Sequence, residues 1–285
     1  MSFSIFIKTW VNDYIWIRYL LKSIEKFVEP NFDSIVIVTD TGYPLNDIPS
    51  SIHEKPVKII YETLPSAIVS WPDGTQKKHP CSVGIGYIWA QCVKLNWDKY
   101  CESDTILQID SDSMFTKPIN LKSAYYTSDN KMKWWVREWE NADEGIVQKP
   151  ATDKFMVKHA ASGVRLDYMP QQSWIFTREA TQQFRKFVED THGCTITNYL
   201  LEKSVPYWLG NMDYFDKTQK KTRRINNWGS CEYEIFGSYL DYVNKHNYEF
   251  IMLPTSNDYL PIRQSWSWGG LKKDEIKYRE ELLAS

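Results

Sequence analysis

Ile106-Leu-Gln-Ile-Asp110-Ser111-Asp112-Ser-Met-Phe115 is the stretch on which the fold turns. A short apolar run ends in two carboxylates separated by one residue, and apolar residues resume directly after them. The run predicts a strand over 104–109, with Asp110 and Asp112 at its carboxyl end. In open α/β sheets ligands gather at that end of the strands. Two acids set side by side there repel unless something holds them. A hard divalent cation does so through oxygen ligands and leaves positions open for phosphate oxygens; Mn2+ suits such oxygen sites as well as Mg2+ does. The plainer alternative is a surface turn after an edge strand.

The sequence upstream supports an α/β setting. Phe3–Lys8 is a short apolar strand candidate. Residues 13–28 carry Tyr14, Ile17, Leu21, Ile24 and Val28 at helical spacing, which predicts an amphipathic helix stopped by Pro30. Ser34–Thr39 is a continuous β-branched run, the pattern of a strand buried on both faces. A third strand is expected over 57–61, a turn-rich loop over 71–80, and a helix over 84–97 ahead of the Asp-x-Asp strand. Strand, helix, strand, strand, helix, strand within about 110 residues implies a largely parallel sheet covered by helices.

The rest of the chain is less regular. A strand is expected over 132–139, helices over 178–190, 232–244 and 271–283, and a strand over 248–253. Lys217–Arg224 holds five cations, which as a short run reads first as a solvated loop and second as a contact for an anionic lipid or phosphate.

Composition narrows the class. The 285 residues carry 34 Lys+Arg against 36 Asp+Glu, a balance that argues against a nucleic-acid-coating protein. The chain is expected to be a single soluble α/β domain without a transmembrane segment or signal peptide. Five cysteines, an odd number without C-x-x-C spacing, fit reduced thiols and a cytoplasmic location. Aromatic residues are abundant, with 13 Trp, 18 Tyr and 12 Phe. Flat rings stack on sugars, and Trp71, Trp89, Trp134, Trp135, Trp139, Trp174, Trp208, Trp228, Trp266 and Trp268 fall in loops and in the second half. They are read as a sugar-facing surface, the alternative being an aromatic core.

Three segments carry a family resemblance: Gly86-Tyr-Ile-Trp-Ala-Gln91-Cys-Val-Lys94-Leu95, Asp110-Ser-Asp112-Ser-Met-Phe-Thr-Lys-Pro118, and Ser230-Cys-Glu232-Tyr-Glu234-Ile-Phe-Gly237-Ser-Tyr239. In this order they resemble the Asp-x-Asp glycosyltransferases of GT-A fold, and more narrowly a group of bacterial and viral proteins assigned as glycosyltransferases. The likeness spans most of residues 3–245. It implies one GT-A domain over 1–285, with a nucleotide-sugar-binding half over 1–118 and an acceptor-binding half with a C-terminal tail over 119–285. It also implies a metal-dependent enzyme that moves a sugar from a UDP- or GDP-sugar to a hydroxyl of a glycan or glycolipid, using Mn2+ or Mg2+ on Asp110 and Asp112, with Ser111 between them.

Other residues take expected roles from their placement. Gln91 and Lys94 share a helix face with Tyr87. Lys94-Leu95 is similar to a Lys/Arg-Leu pair of glycogenin-like glycosyltransferases, and a lysine there would supply charge to a leaving diphosphate; the alternative is a solvated helix lysine. Glu232 is a candidate general base on the acceptor or a helix-start acid, and Glu234 should point to a different face. Lys8, Thr9 and Trp10 after strand one, and Thr39 and Asp40 after strand two, are candidates for contacts to the nucleoside. A late histidine, a frequent third ligand in GT-A enzymes, is not cleanly present: His246 follows the late helix, and Asp258 or water could substitute. Trp266 and Trp268 ahead of Gly269-Gly270 could form a lid. The lysine likeness hints at retention and a Glu232 base at inversion. A non-catalytic carbohydrate-binding module and a haloacid-dehalogenase-like phosphatase are the rival classes; the latter places Asp-x-Asp on the first strand.

Overall fold

The structure is a computed structural model and describes residues 2–42, 44–66, 68–70, 75–78, 85–138, 149–160, 163, 165–170, 173–204, 211–216, 221–226, 229, 231–253, 260–265 and 272–285. Trp71, Trp139, Trp208, Trp228, Trp266, Trp268, His79, Cys81, Lys217, Lys220, Asp258 and the Gly269-Gly270 pair lie outside the described residues.

Strand β1 (Phe3–Lys8) leads through a short 3-10 turn into helix α1 (Tyr14–Phe27) and strand β2 (Ser34–Asp40). The expected helical stripe is the face that packs: Ile17, Leu21, Ile24 and Val28 are buried and Tyr14 half-buried. β2 is buried along its whole length, as its β-branched run predicts. A short strand and a longer one follow as β3 (Ser51–Ile52) and β4 (Lys55–Glu62), then the hairpin of β5 (Ile68–Ser70) and β6 (Gln76–Lys78). Helix α2 (Ile85–Lys94) is shorter than the sequence suggests, because the chain leaves it at Lys94 and makes a separate 3-10 turn at Trp97–Lys99. Strand β7 (Thr105–Ile109) and the short β8 (Ser113–Phe115) flank the two aspartates.

The second half adds α3 (Leu121–Tyr125), β9 (Met132–Glu138), α4 (Lys149–Met156), β10 (Leu166–Asp167) and β11 (Ser173–Thr177). Helix α5 (Arg178–His192) is bounded as its sequence dictates. The Thr177 hydroxyl accepts from the Ala180 N–H at its start, and Gly193 takes a left-handed φ of 65° at its end. Then come α6 (Ile196–Asn198), the hairpin of β12 (Asn211–Asp216) and β13 (Lys221–Asn226), α7 (Glu232–Tyr242), β14 (Tyr248–Met252), β15 (Ile262–Gln264) and α8 (Lys273–Ala284).

The protein is an α/β fold on a mixed, mostly parallel sheet. The six-stranded sheet has the order β11-β7-β1-β2-β4-β3. β1 pairs in parallel with both β2 and β7, and β2 in parallel with β4, while β3 and β11 add antiparallel edges. β7 is therefore an interior strand, and the alternative of a turn after an edge strand does not hold. The chain moves outward from β1 to β2 and β4, then returns to place β7 on the other side of β1. Such a reversal opens a crevice at the carboxyl ends of the two strands, here those of β1 and β7.

Where the tryptophans are described, they belong to an aromatic core and not to the expected sugar-facing surface. Of the tryptophans named for that surface, four are described: Trp134, Trp135 and Trp174 are buried, and Trp89 is half-buried against the core. Where the first half packs Ile, Val and Leu, the second packs rings on rings. Trp134 lies 5.6 Å from both Phe176 and Phe236 and 5.9 Å from Tyr248, and its indole N–H donates to the Tyr168 carbonyl at 3.2 Å. A few large rings bury as much apolar area as many aliphatic chains while hydrogen-bonding at their polar edges, so this half sustains a core despite its short strands. No helix among the described residues is long and apolar enough to cross a membrane.

Candidate functional site

The crevice between β1 and β7 collects the charged residues. In the β1–β7 register Phe6 stands opposite Gln108, which sets Lys8 level with Asp110. Up to this level both strands are mostly apolar, with Ser4, Thr105 and Gln108 the buried exceptions. The charged residues begin where the sheet ends, so their burial comes from the helices on either side.

Lys94 is the hub. It sits in the last turn of α2, which packs between β1 and α7. Its ammonium donates to Asp110 Oδ1 at 2.6 Å, to Glu232 Oε1 at 2.7 Å and to the Tyr233 hydroxyl at 2.8 Å. Burial works to discharge the ammonium, but the fields of Asp110 and Glu232 override it and hold its pKa well above the ordinary lysine value. The expectation of a solvated helix lysine is thus corrected: three acceptors converge on a buried cation. The Tyr233 hydroxyl accepts in turn from Gln108 Nε2 at 2.6 Å and donates to Asp110 Oδ1 at 3.2 Å. Its ring stacks on Trp174, with centroids 3.4 Å apart and planes 16° apart. Burial, and next the charge of Asp110, keep this phenol protonated.

Glu232 and Glu234 diverge, as their spacing on a helix requires. Glu232 opens α7 and faces Lys94. Glu234 is fully buried on the other side, accepting the Tyr168 N–H. Burial and the neighbouring Asp167 raise its pKa well above the usual carboxylate range.

Asp112 is held from downstream. Gln264 Nε2 donates to its Oδ1 at 2.9 Å, and Arg279 NH2 donates to its carbonyl at 2.7 Å. Ser111, buried between the two aspartates, donates to Asp13 Oδ2 at 2.8 Å. On the β1 side Lys8 donates to Asp40 Oδ1 at 2.7 Å and to the Thr9 carbonyl at 2.6 Å. Burial lowers the Lys8 pKa, and the bond to Asp40 opposes that shift. Thr9 is buried with its hydroxyl unpartnered, and Trp10 projects 42% exposed beside it. Gln91, one turn before Lys94 on the same helix face, is 1% exposed, and neither polar atom of its amide has a partner. Thr39 is buried at the end of β2.

The structure therefore brings Lys8, Thr9, Trp10, Asp40, Lys94, Asp110, Ser111, Asp112 and Glu232 to one edge of the sheet, with Gln91 on the helix that carries Lys94. Sequence reasoning passed over Tyr233, Gln108, Asp13, Gln264 and Arg279. Two of these left a signal: Gln108 is the one polar residue inside Ile106–Ile109, and Arg279 occupies the apolar stripe of α8 between Ile276 and Leu283.

The described histidines lie elsewhere. His246 bonds the Tyr239 hydroxyl at 3.1 Å beyond the far end of α7 from Glu232. His192 packs on Phe155 and Tyr199, and His159 on Phe187. No group of three or more His, Cys, Asp or Glu residues among those described is arranged to hold a metal ion. A cation at Asp110 and Asp112 would have two carboxylates from the protein and would take further oxygens from substrate and water, the manner in which Mg2+ is usually held. The charge balance fits such a cation. Among the described residues, the carboxylates of Asp40, Asp110 and Glu232 share the two ammonium groups of Lys8 and Lys94.

Residues 3–228 match the model of a family described as a family of unknown function, DUF6492. No curated protein matches the chain.

Proposed function

The chain belongs to the DUF6492 family, whose function is unknown, and from that premise we propose that it is a glycosyltransferase of GT-A architecture, dependent on Mn2+ or Mg2+. It would transfer a sugar from a UDP- or GDP-sugar to a hydroxyl of a glycan or glycolipid, acting in the cytoplasm. The observation that carries the reading is the placement of Asp110 and Asp112 at the carboxyl end of an interior strand, beside the reversal point of the sheet, with a buried ammonium locked onto Asp110.

The chemistry assigned to each residue follows from its contacts. Asp110 and Asp112 hold the divalent cation, which when bound supplies charge neutralisation to the leaving diphosphate. Lys94 is a fixed positive charge at the same place, and its partners keep it protonated at any pH the enzyme meets. A preorganised charge of this kind stabilises developing negative charge without reorientation during reaction. Glu232 shares that ammonium at 2.7 Å and is buried. Its contacts favour orienting Lys94 over taking a proton from an acceptor, and so favour retention over inversion. Lys8, Thr9 and Asp40, with Trp10 exposed beside them, face the nucleoside. Gln91 offers an unpaired amide to the same ligand, since a buried polar group without a partner is costly until one arrives.

The test is transfer or hydrolysis of nucleotide-sugars with purified protein. Metal-stimulated turnover should be abolished in Asp110→Ala and in Asp112→Ala. Undiminished turnover in both variants would exclude the reading.

A further inference from the structure

The C-terminal strand and helix converge on a single residue of the site. β15 pairs antiparallel with β8, placing Gln264 opposite Ser113. From there Gln264 Nε2 reaches Asp112 Oδ1, and the Ser265 N–H donates to the Asp112 carbonyl at 3.1 Å. α8 then delivers Arg279 to the same carbonyl. Arg279 is completely buried; its guanidinium lies 4.5 Å above the Trp16 ring and is paired with Glu275, which also binds Arg263 at 2.7 Å.

Apolar contacts alone would suffice to dock a C-terminal helix. Here the docking uses a buried guanidinium, and it leaves Arg279 NH1 and Gln264 Oε1 buried without partners. Such an arrangement is unfavourable for stability by itself. What it does achieve is restraint of Asp112 in both its parts, the carboxylate through Gln264 and the backbone through Ser265 and Arg279.

We infer that β15 and α8 are the positioning device for Asp112, with Gln264 and Arg279 as positioning residues for cation binding. The inference rests on the reading of Asp110 and Asp112 as the cation's ligands. Groups that orient a metal ligand typically change metal affinity by about 10–100-fold when removed.

The test is a Mn2+ titration of the full-length protein in the presence of UDP, followed by electron paramagnetic resonance, with melting temperature measured alongside. Gln264→Leu and Arg279→Met should each weaken Mn2+ binding by about tenfold or more, Gln264→Leu with its melting temperature nearly unchanged. Asp112→Asn marks complete loss of the site. If both variants bind Mn2+ like the wild type while Asp112→Asn does not, the inference is overturned and the reading of the aspartates stands. A wild-type protein that binds no Mn2+ overturns both. Should Arg279→Met fail to fold, Gln264→Leu decides alone: a lower melting temperature with an unchanged Mn2+ constant would mark Gln264 as structural and overturn the inference.

Discussion

Replacing Lys94 with methionine keeps most of the side-chain volume and removes the charge together with its three donated hydrogen bonds. The structure fixes what that removal costs. Lys94 holds Glu232, whose side chain is 4% exposed, and Asp110, whose side chain is 20% exposed. Removing one partner of a buried pair costs about 3–5 kcal/mol, because the other charge stays buried without compensation. Asp110 can draw on water for part of its loss, which places the expected destabilisation near the lower bound, about 3 kcal/mol. For a chain of this size that corresponds to a fall in melting temperature of roughly 5 °C. The penalty arises from the orphaned carboxylate of Glu232, so the double variant Lys94→Met/Glu232→Gln should recover at least about 1.5 kcal/mol of it. Urea denaturation of the wild type, both single variants and the double variant closes the cycle. A Lys94→Met protein as stable as the wild type, or strictly additive losses in the double variant, would refute the pairing on which the site is built.

Two further predictions concern α7. A Cβ at Gly237 would stand 2.4 Å from Tyr168 Cβ, an atom too near the backbone to swing aside. Gly237→Ala should therefore cost about 3 kcal/mol, the upper range for overpacking, read as a lower urea midpoint. Burial and the contact with Asp167 raise the pKa of Glu234 in the folded state, whereas the unfolded chain loses that proton near 4.5. Folding thus takes up a proton above that pH, and wild-type stability falls as pH rises through the window above 4.5. Glu234→Gln mimics the protonated acid, so its urea midpoint should change less between pH 5 and pH 8. An identical dependence in the two proteins would show that Glu234 is ionised when folded.

The parts of the fold legible in the sequence are those whose pattern is local. Ser34–Thr39 reads as a doubly buried strand because every residue from Ile35 onward is β-branched, and it is buried throughout. Residues 106–112 show the end of a strand because their character changes abruptly there. The pairings that give the site its chemistry join residues far apart, and no periodicity encodes them: Lys94 meets Glu232 across 138 positions, and Asp112 meets Arg279 across 167. Strand β11 went unread for a related reason. Its five residues Ser173–Thr177 are too few to show a period, and only its antiparallel register on β7 makes it a strand. The described tryptophans depart from the expectation because composition does not distinguish a ring that stacks on a ligand from one that packs on Phe236.

The proposal depends most on cation-dependent recognition of a nucleotide-sugar. Ligand binding to the folded state raises melting temperature by mass action. A thermal-shift series of UDP- and GDP-sugars, each with and without Mn2+, applied to the wild type and to Asp110→Ala, measures this directly. The predicted result is a rise for at least one donor only when Mn2+ is present, and its loss in Asp110→Ala. An absence of any Mn2+-dependent shift across both donor series, or an equal shift in Asp110→Ala, would contradict it.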